Sequence, residues 1–308
     1  MEPHLEPRAG AGTDGRRRFV GKAPARAERA ADDATVDVGR RRRGGRRPRG
    51  GFGAARVRLA VAGGSRGAPA PVLTDPEVTA GPFHVVYPPG HGATAVLVLQ
   101  DLQRDYPVER ASLGATLSTP LLVVIYPTRA SLNTSAGLPA AANNIGLYDA
   151  GTIRIDLPRA WIPHGSWRPT FQAEGPVAHE LGHALLDRVG HENYPAWFNE
   201  GVAQWEDYRA TGYQWLTASN QMGHGGGLYS WRALNENFYT LPHQSLAYRE
   251  GLKLVQYLVS PRYGGPPRFR QFVHALAGVA SFAATMRAIY HMRPDALYQA
   301  WRRSLSTY

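Results

Sequence analysis

From about residue 78 the chain alternates short apolar runs with polar breakers. Pro82–Pro88, PFHVVYP, reads as a strand. Gly92–Pro107, GATAVLVLQDLQRDYP, has helical spacing and is expected to end at Pro107, which has no N–H to continue the ladder. Pro120–Pro127, PLLVVIYP, is β-branched enough to be a buried strand. NIGLYDAGTIRIDLP then predicts a hairpin, with its turn at Asp149-Ala150-Gly151 and its second strand over Thr152–Leu157. After Pro169 the spacing turns helical, over roughly 170–189, 195–209, 245–259, 267–277, 281–290 and 294–304, with Pro294 at the first position of the last helix. Strands first and helices afterwards predict an α+β fold. A small N-terminal mixed or antiparallel sheet (78–168) should be followed by a mostly helical part (169–308). No internal repeat is visible.

Composition changes the picture at one end only. Of the net charge of +11, residues 1–70 carry 17 Arg/Lys against 7 Asp/Glu, whereas residues 71–308 carry 18 against 17. The basic character thus belongs to an Arg/Gly-rich tail, residues 1–75, which is too poor in apolar side chains to offset its ordering entropy and is expected to be disordered. Its run GRRRRGGRRPRGG, Gly39–Gly51, could contact phosphates, but it lacks the interleaved aromatics of a stacking surface. The nearly neutral remainder is not expected to bind nucleic acid. Cysteine is absent, so disulfides and thiolate metal sites are excluded and any metal must be held by His, Asp or Glu. No run reaches the ~18–20 apolar residues of a membrane span, and neither RRRFVGK nor VRLAVAGG is followed or built as a signal peptide would be.

The chemistry concentrates in PVAHELGHALLDRVG, Pro176–Gly190. On a helix His179 and His183 lie one turn apart on one face, so both imidazoles can point at one ion. Glu180 flanks the same site, where it can take a proton from water. Arg188 in the last turn and Gly190 just past it are sensible end signals. Sixteen residues separate His183 from Glu200, within PAWFNEGVAQWEDY; a carboxylate joining two imidazoles makes a His₂Glu set suited to zinc hydrolysis. Asn199, Asp187 and Asp207 are candidate acceptors for the second ring nitrogens of the histidines. His191, His224 and His243 stand in no motif. HGGGLYSW, His224–Trp231, is a candidate lid or cleft loop, with Met222, Trp215 and Trp231 as candidate lining residues; no strand precedes it as a phosphate loop would need.

Taken together, HELGH, WFNEGVAQ and AYREGLKLVQYLVSPRYGG resemble the gluzincin zinc metallopeptidases, in particular peptidase-MA-like relatives of the thermolysin and aminopeptidase N groups. The resemblance spans roughly residues 80–305 and implies a thermolysin-like zincin fold, one Zn²⁺ per chain held by His179, His183 and Glu200, and Glu180 as general base. It also implies that Tyr248, three residues before Gly251, steadies the oxyanion; Tyr229 is the competing tyrosine. A peptide or protein is the implied substrate. The GAMEN segment with which aminopeptidase N grips a free amino terminus is missing, and in its place DAGTIRIDL is a candidate for the edge strand on which an extended peptide would lie. Relatives of this type are often exported or envelope-associated. Two other function classes stay open at this point: a non-catalytic zinc-binding or protein-interaction domain, and nucleic-acid binding through the arginine tail.

Overall fold

A computed structural model describes residues 75–215 and 227–305. Residues 1–74 of the Arg/Gly-rich tail and the segment bearing Met222 and His224 lie outside these residues. Among them, the sheet strands are β1 (Glu77–Ala80), β2 (Phe83–Val86), β3 (Leu121–Tyr126), β4 (Gly146–Asp149) and β5 (Thr152–Asp156). The helices are α1 (Gly92–Leu113), α2 (Arg129–Ser135), α3 (Trp167–Glu174), α4 (Val177–Gly190), α5 (Ala196–Thr211), α6 (Trp231–Glu236), α7 (Gln244–Val259), α8 (Gly265–Ala275), α9 (Phe282–Tyr290) and α10 (Pro294–Leu305). The fold is α+β, with one mixed sheet in the order β1-β2-β3-β5-β4. β2, β3 and β5 run parallel, while β1 and β4 close the two edges antiparallel. Among the described residues no helix is long and apolar enough to cross a membrane.

The hairpin forms where expected, because Ala150 (φ 48°) and Gly151 (φ 78°) both adopt positive φ, the geometry of a two-residue turn that matches strand twist. It places β4, not the strand beginning at Thr152, on the outside of the sheet. The edge strand is therefore GLYD, a correction to the expectation for DAGTIRIDL. β1 was not foreseen: four residues with only partial burial carry almost no periodic signal.

Three helix boundaries differ from the sequence reading. α1 runs through Pro107 to Leu113 and ends on Gly114 in the left-handed conformation. Pro107 and Gln103, whose carbonyl loses its donor, are both on the exposed side, where solvent can serve that carbonyl. The buried positions Leu102, Asp105, Glu109 and Leu113 meanwhile continue uninterrupted. The expected helix over 170–189 is two helices, because Gly175 is extended (φ −77°, ψ 165°) ahead of Pro176, as a residue before proline prefers. Gly190 is the last residue of α4, not the one past it. The left-handed position is His191 (φ 50°), and Gly190 instead leaves room for the Tyr194 ring, which a Cβ would meet at 2.9 Å.

The core joins Phe83, Val85, Val123, Ile125, Ile153 and Ile155 of the sheet to Leu102 of α1 and Leu181 and Leu185 of α4. It continues into an aromatic cluster in which Phe198 of α5 touches Phe269, Phe272 and Phe282 at ring distances of 5.1–6.1 Å. Two helix contacts position everything that follows. Gly182 of α4 sits 3.1 Å, at its would-be Cβ, from the Ala203 Cα of α5; Gly201 of α5 would meet the Gly251 carbonyl oxygen of α7 at 2.5 Å, and Gly251 the Trp197 carbonyl oxygen at 2.8 Å. At the Gly201–Gly251 crossing the backbones approach too closely for any side chain, while a methyl group at Gly182 would require Ala203 to give by a few tenths of an ångström.

Between α1 and α5 lies a row of buried acids. Asp101, Asp105 and Glu109 recur every fourth residue on α1 and face Glu206 and Asp207. Arg104 pairs with Asp101 and Asp105 at 2.9 and 2.6 Å, and the Ser112 hydroxyl donates to Glu206 at 2.6 Å. Neither carboxyl oxygen of Glu109 finds a hydrogen-bond partner among the described residues. Burial, then the charge of Glu206, pushes Glu109 well above the ordinary range, and burial pushes Glu206 up to about 7. Burial thus favours the neutral form of both acids, with Glu206 near the midpoint of its titration at neutral pH.

Two tests follow from this packing. Gly201→Ala should lower the unfolding free energy in urea by about 1–3 kcal/mol through overpacking, net of the ~1 kcal/mol gained in helix propensity; an unchanged midpoint would mean the helices can part at no cost. For Glu206 the folded group keeps its proton to near pH 7 whereas an unfolded glutamate releases it near 4.5, so the stability it contributes is fully present below 4.5 and is lost as pH rises through 7. Glu206→Gln should therefore flatten the fall in melting temperature between pH 5 and 8, a profile read by scanning wild type and variant in parallel.

Candidate functional site

Val177, Leu181, Ala184 and Leu185 bury one face of α4 and turn His179, Glu180 and His183 toward α5. Trp197 and Phe198, both fully buried, anchor the first turn of α5, and Asn199 and Glu200 follow on its next turn. The Gly182–Ala203 contact sets the distance between the two helices. As a result His179, His183 and Glu200 converge, a group that could hold a metal ion. Their facing atoms make a nearly equilateral triangle: His179 Nε2 to His183 Nε2 is 3.1 Å, His179 Nε2 to Glu200 Oε2 is 3.3 Å, and His183 Nε2 to Glu200 Oε2 is 3.4 Å. Ligands ~2.0–2.1 Å from a tetrahedral zinc stand about 3.3 Å from one another, so the donor set fits that ion in both chemistry and spacing. Glu200 Oε2 is buried and makes no aligned hydrogen bond, which leaves it aimed between the two imidazoles. His179 is the most exposed of the three, at 19% against 9% and 8%, so the site opens on its side.

The electrostatics is that of a tightly held ion pair. Burial alone would push His183 down, but the facing Glu200 carboxylate, with smaller help from Glu180 and Asn199, holds it up at about 9. Burial likewise opposes charge on Glu200, and the charge of His183 with the polar contacts of both imidazoles outweighs it, holding this carboxyl well below the ordinary range. Glu180, buried beside them, is pushed up by burial despite the two histidines.

Of the candidate acceptors, Asn199 Oδ1 lies 2.8 Å from His183 Nδ1 and can accept its proton, so that a metal taking the place of the Nε2 proton would meet a correctly oriented ring. Asp187 does not reach His183; it accepts a hydrogen bond from the Tyr148 hydroxyl at 2.7 Å. Asp207 accepts from Thr211 at 2.9 Å and sits in the field of His179.

The edge strand β4 overlies this helix. Ile145 O accepts the Asp156 N–H at 2.9 Å, and antiparallel alternation then turns the N–H and C=O of Gly146 and Tyr148 away from β5. The Tyr148 N–H bonds the Glu180 carboxyl. A side chain at position 146 would strike Pro176 Cβ at 2.4 Å and Glu180 Oε1 at 2.8 Å, so glycine there lets the strand rest on the carboxyl.

Tyr248 occupies the opposite wall. Gln204 Nε2 donates to its carbonyl at 2.8 Å, and the Gly201–Gly251 crossing draws α7 against α5. Its hydroxyl is directed at Glu200 and lies in the field of Glu180; burial first, and these charges next, push it well above the ordinary tyrosine range. Trp215 packs against its ring at 5.7 Å. Tyr229 is not part of the site. Its N–H donates to Glu250 at 2.8 Å and its hydroxyl accepts the His243 N–H at 2.8 Å, which ties it to the start and flank of α7. In the described end of the glycine-rich loop, Ser230 caps α6 and Trp231 packs on Trp197 at 5.8 Å, a core position rather than a cleft wall. His191 and His243 mark a helix end and a helix start and do not belong to the group that could hold a metal.

Sequence reasoning missed Tyr239. Its hydroxyl donates to Glu200 Oε1 at 2.7 Å from a 3₁₀ turn at Phe238–Thr240. It stands in NENFYTLPH, 39 residues from Glu200, where neither spacing nor neighbours distinguish it among 15 tyrosines.

A search of curated proteins finds no match. A sequence model of the peptidase MA superfamily matches residues 108–307, which include both histidines, Glu180, Glu200 and Tyr248. That match covers well over half of the chain, which therefore belongs to the peptidase MA superfamily and carries a metallopeptidase-like domain.

Proposed function

We propose that the chain is a zinc-dependent peptidase, in which His179, His183 and Glu200 hold one Zn²⁺. The observation that carries this reading is the triangle of two Nε2 atoms and Glu200 Oε2, with edges of 3.1–3.4 Å and the Glu180 carboxyl beside it. Zinc bound there would acidify a water and polarise the scissile carbonyl. Glu180 is the general base. It takes the proton of the attacking water and passes it to the leaving amine, and its pKa, raised by burial, suits a group that must both accept and release a proton. The Tyr148 N–H holds the Glu180 carboxyl in place for this transfer. Tyr248 donates its hydroxyl to the developing oxyanion; its raised pKa keeps that proton available. An extended peptide pairs with the outward backbone groups of Gly146, which aligns its carbonyl with little demand on its side chains.

Elemental analysis with peptide-library cleavage tests the reading. Wild type should carry about one zinc per chain and cleave; Glu200→Ala should lose the metal. Glu180→Gln should keep the metal and lose roughly 10²–10⁴-fold in turnover, and Tyr248→Phe should keep it and lose about 10²–10³-fold in kcat. Full activity in Glu180→Gln would sink the mechanism, and zinc bound by a wild type that cleaves nothing would leave a non-catalytic metal-binding domain.

A further inference from the structure

We infer that Tyr239 is a positioning residue of the metal centre, one that holds Glu200 to a single donor oxygen; the inference rests on the zinc reading above. The two oxygens of Glu200 have different surroundings. Oε1 accepts the Tyr239 hydroxyl at 2.7 Å, while Oε2 is buried without an aligned partner and stands 3.3 and 3.4 Å from the two imidazole nitrogens. A carboxylate whose second oxygen is engaged in this way presents one oxygen to a cation rather than two. That choice favours four-coordinate zinc over hard ions, which accept bidentate carboxylates in larger shells.

The hydroxyl also belongs to a chain that reaches a second ligand. The Asn199 side chain lies in hydrogen-bonding contact with the Tyr239 hydroxyl, and Asn199 Oδ1 is 2.8 Å from His183 Nδ1. Asn199 thus accepts from His183 through its oxygen and donates to Tyr239 through its nitrogen, and Tyr239 donates onward to Glu200. Two ligands on different helices are thereby linked through two neutral side chains, Asn199 and Tyr239.

The turn that carries Tyr239 is itself pinned. Phe238 is buried and its ring contacts Tyr239 at 5.3 Å and Tyr248 at 5.2 Å. Gln244 of α7 donates to the Phe238 and Leu241 carbonyls at 3.0 and 2.8 Å. The Tyr239 ring is half exposed while its hydroxyl points inward, so the residue is not placed there to fill the core.

The test uses Tyr239→Phe in the full chain, which keeps the ring and removes one oxygen. Zinc affinity is measured by chelator competition, and the metal is also replaced by cobalt(II) for its visible absorption spectrum, which reports coordination number. The expected result is zinc binding weakened about 10–100-fold, with faster loss to chelator, a weaker cobalt band as Glu200 becomes bidentate, and an unchanged melting temperature of the metal-free protein. Affinity within twofold of wild type with an identical cobalt spectrum overturns the inference and leaves the zinc reading standing. So does a loss of affinity matched by an equal loss of stability in the metal-free variant. A wild type that binds no zinc after reconstitution overturns both.

Discussion

Everything in the site depends on two helix crossings, of which the one at Gly201 and Gly251 admits only glycine and the one at Gly182 leaves little room for more. α5 lies between α4 and α7, touching the first at Gly182 and the second at Gly201 and Gly251. Each of the three glycines belongs to one of the short motifs visible in the chain, HELGH, NEG and YREG, directly beside or within one turn of the side chain that the motif contributes. The chemistry and the packing of each motif are therefore one constraint. A methyl group at the Gly201–Gly251 contact would force α7 off α5 and draw Tyr248 away from Glu200, since helices in a dense core do not shift independently.

The interior tolerates this site because its charges are arranged to compensate. A carboxylate buried alone costs several kcal/mol, and Glu200 escapes that cost through two imidazoles on one oxygen and a phenol on the other. Nearly two helix turns further along, Glu206 meets the same problem differently, by holding its proton to about pH 7 beside Ser112. The two solutions stand six residues apart on α5. One leaves a negative charge directed at a cation-sized gap; the other gives up its proton only near neutral pH.

How much of this could be read from the chain varies with range. The α+β division, the hairpin and the later helices were legible because apolar spacing is local. The convergence of His179 and His183 was legible for the same reason, four residues being one helical turn. Glu200 and Tyr248 became visible only through the resemblance of their surroundings, since nothing in spacing alone brings residues 17 and 65 positions from His183 to it. What stayed hidden depends on three-dimensional context. Pro107 is harmless in α1 because its orphaned carbonyl faces solvent, and Gly190 serves Tyr194 rather than ending a helix. Asp187 sits four residues beyond His183, as a histidine's carboxylate partner could, yet turns to Tyr148. Tyr239 reaches Glu200 through a turn of no recognisable pattern.

The fastening of β4 has a mechanical consequence. Tyr148 grips α4 twice, by its amide at Glu180 and by its hydroxyl at Asp187 two turns later, and Gly146 rests on the same helix between Pro176 and Glu180. This jaw of the cleft cannot swing without dragging the helix that bears both histidines. The clearance between strand and helix is then a property of the packed fold, like the gap of a fixed caliper. A polypeptide laid along the strand meets the reacting groups at a height that its own side chains do not adjust.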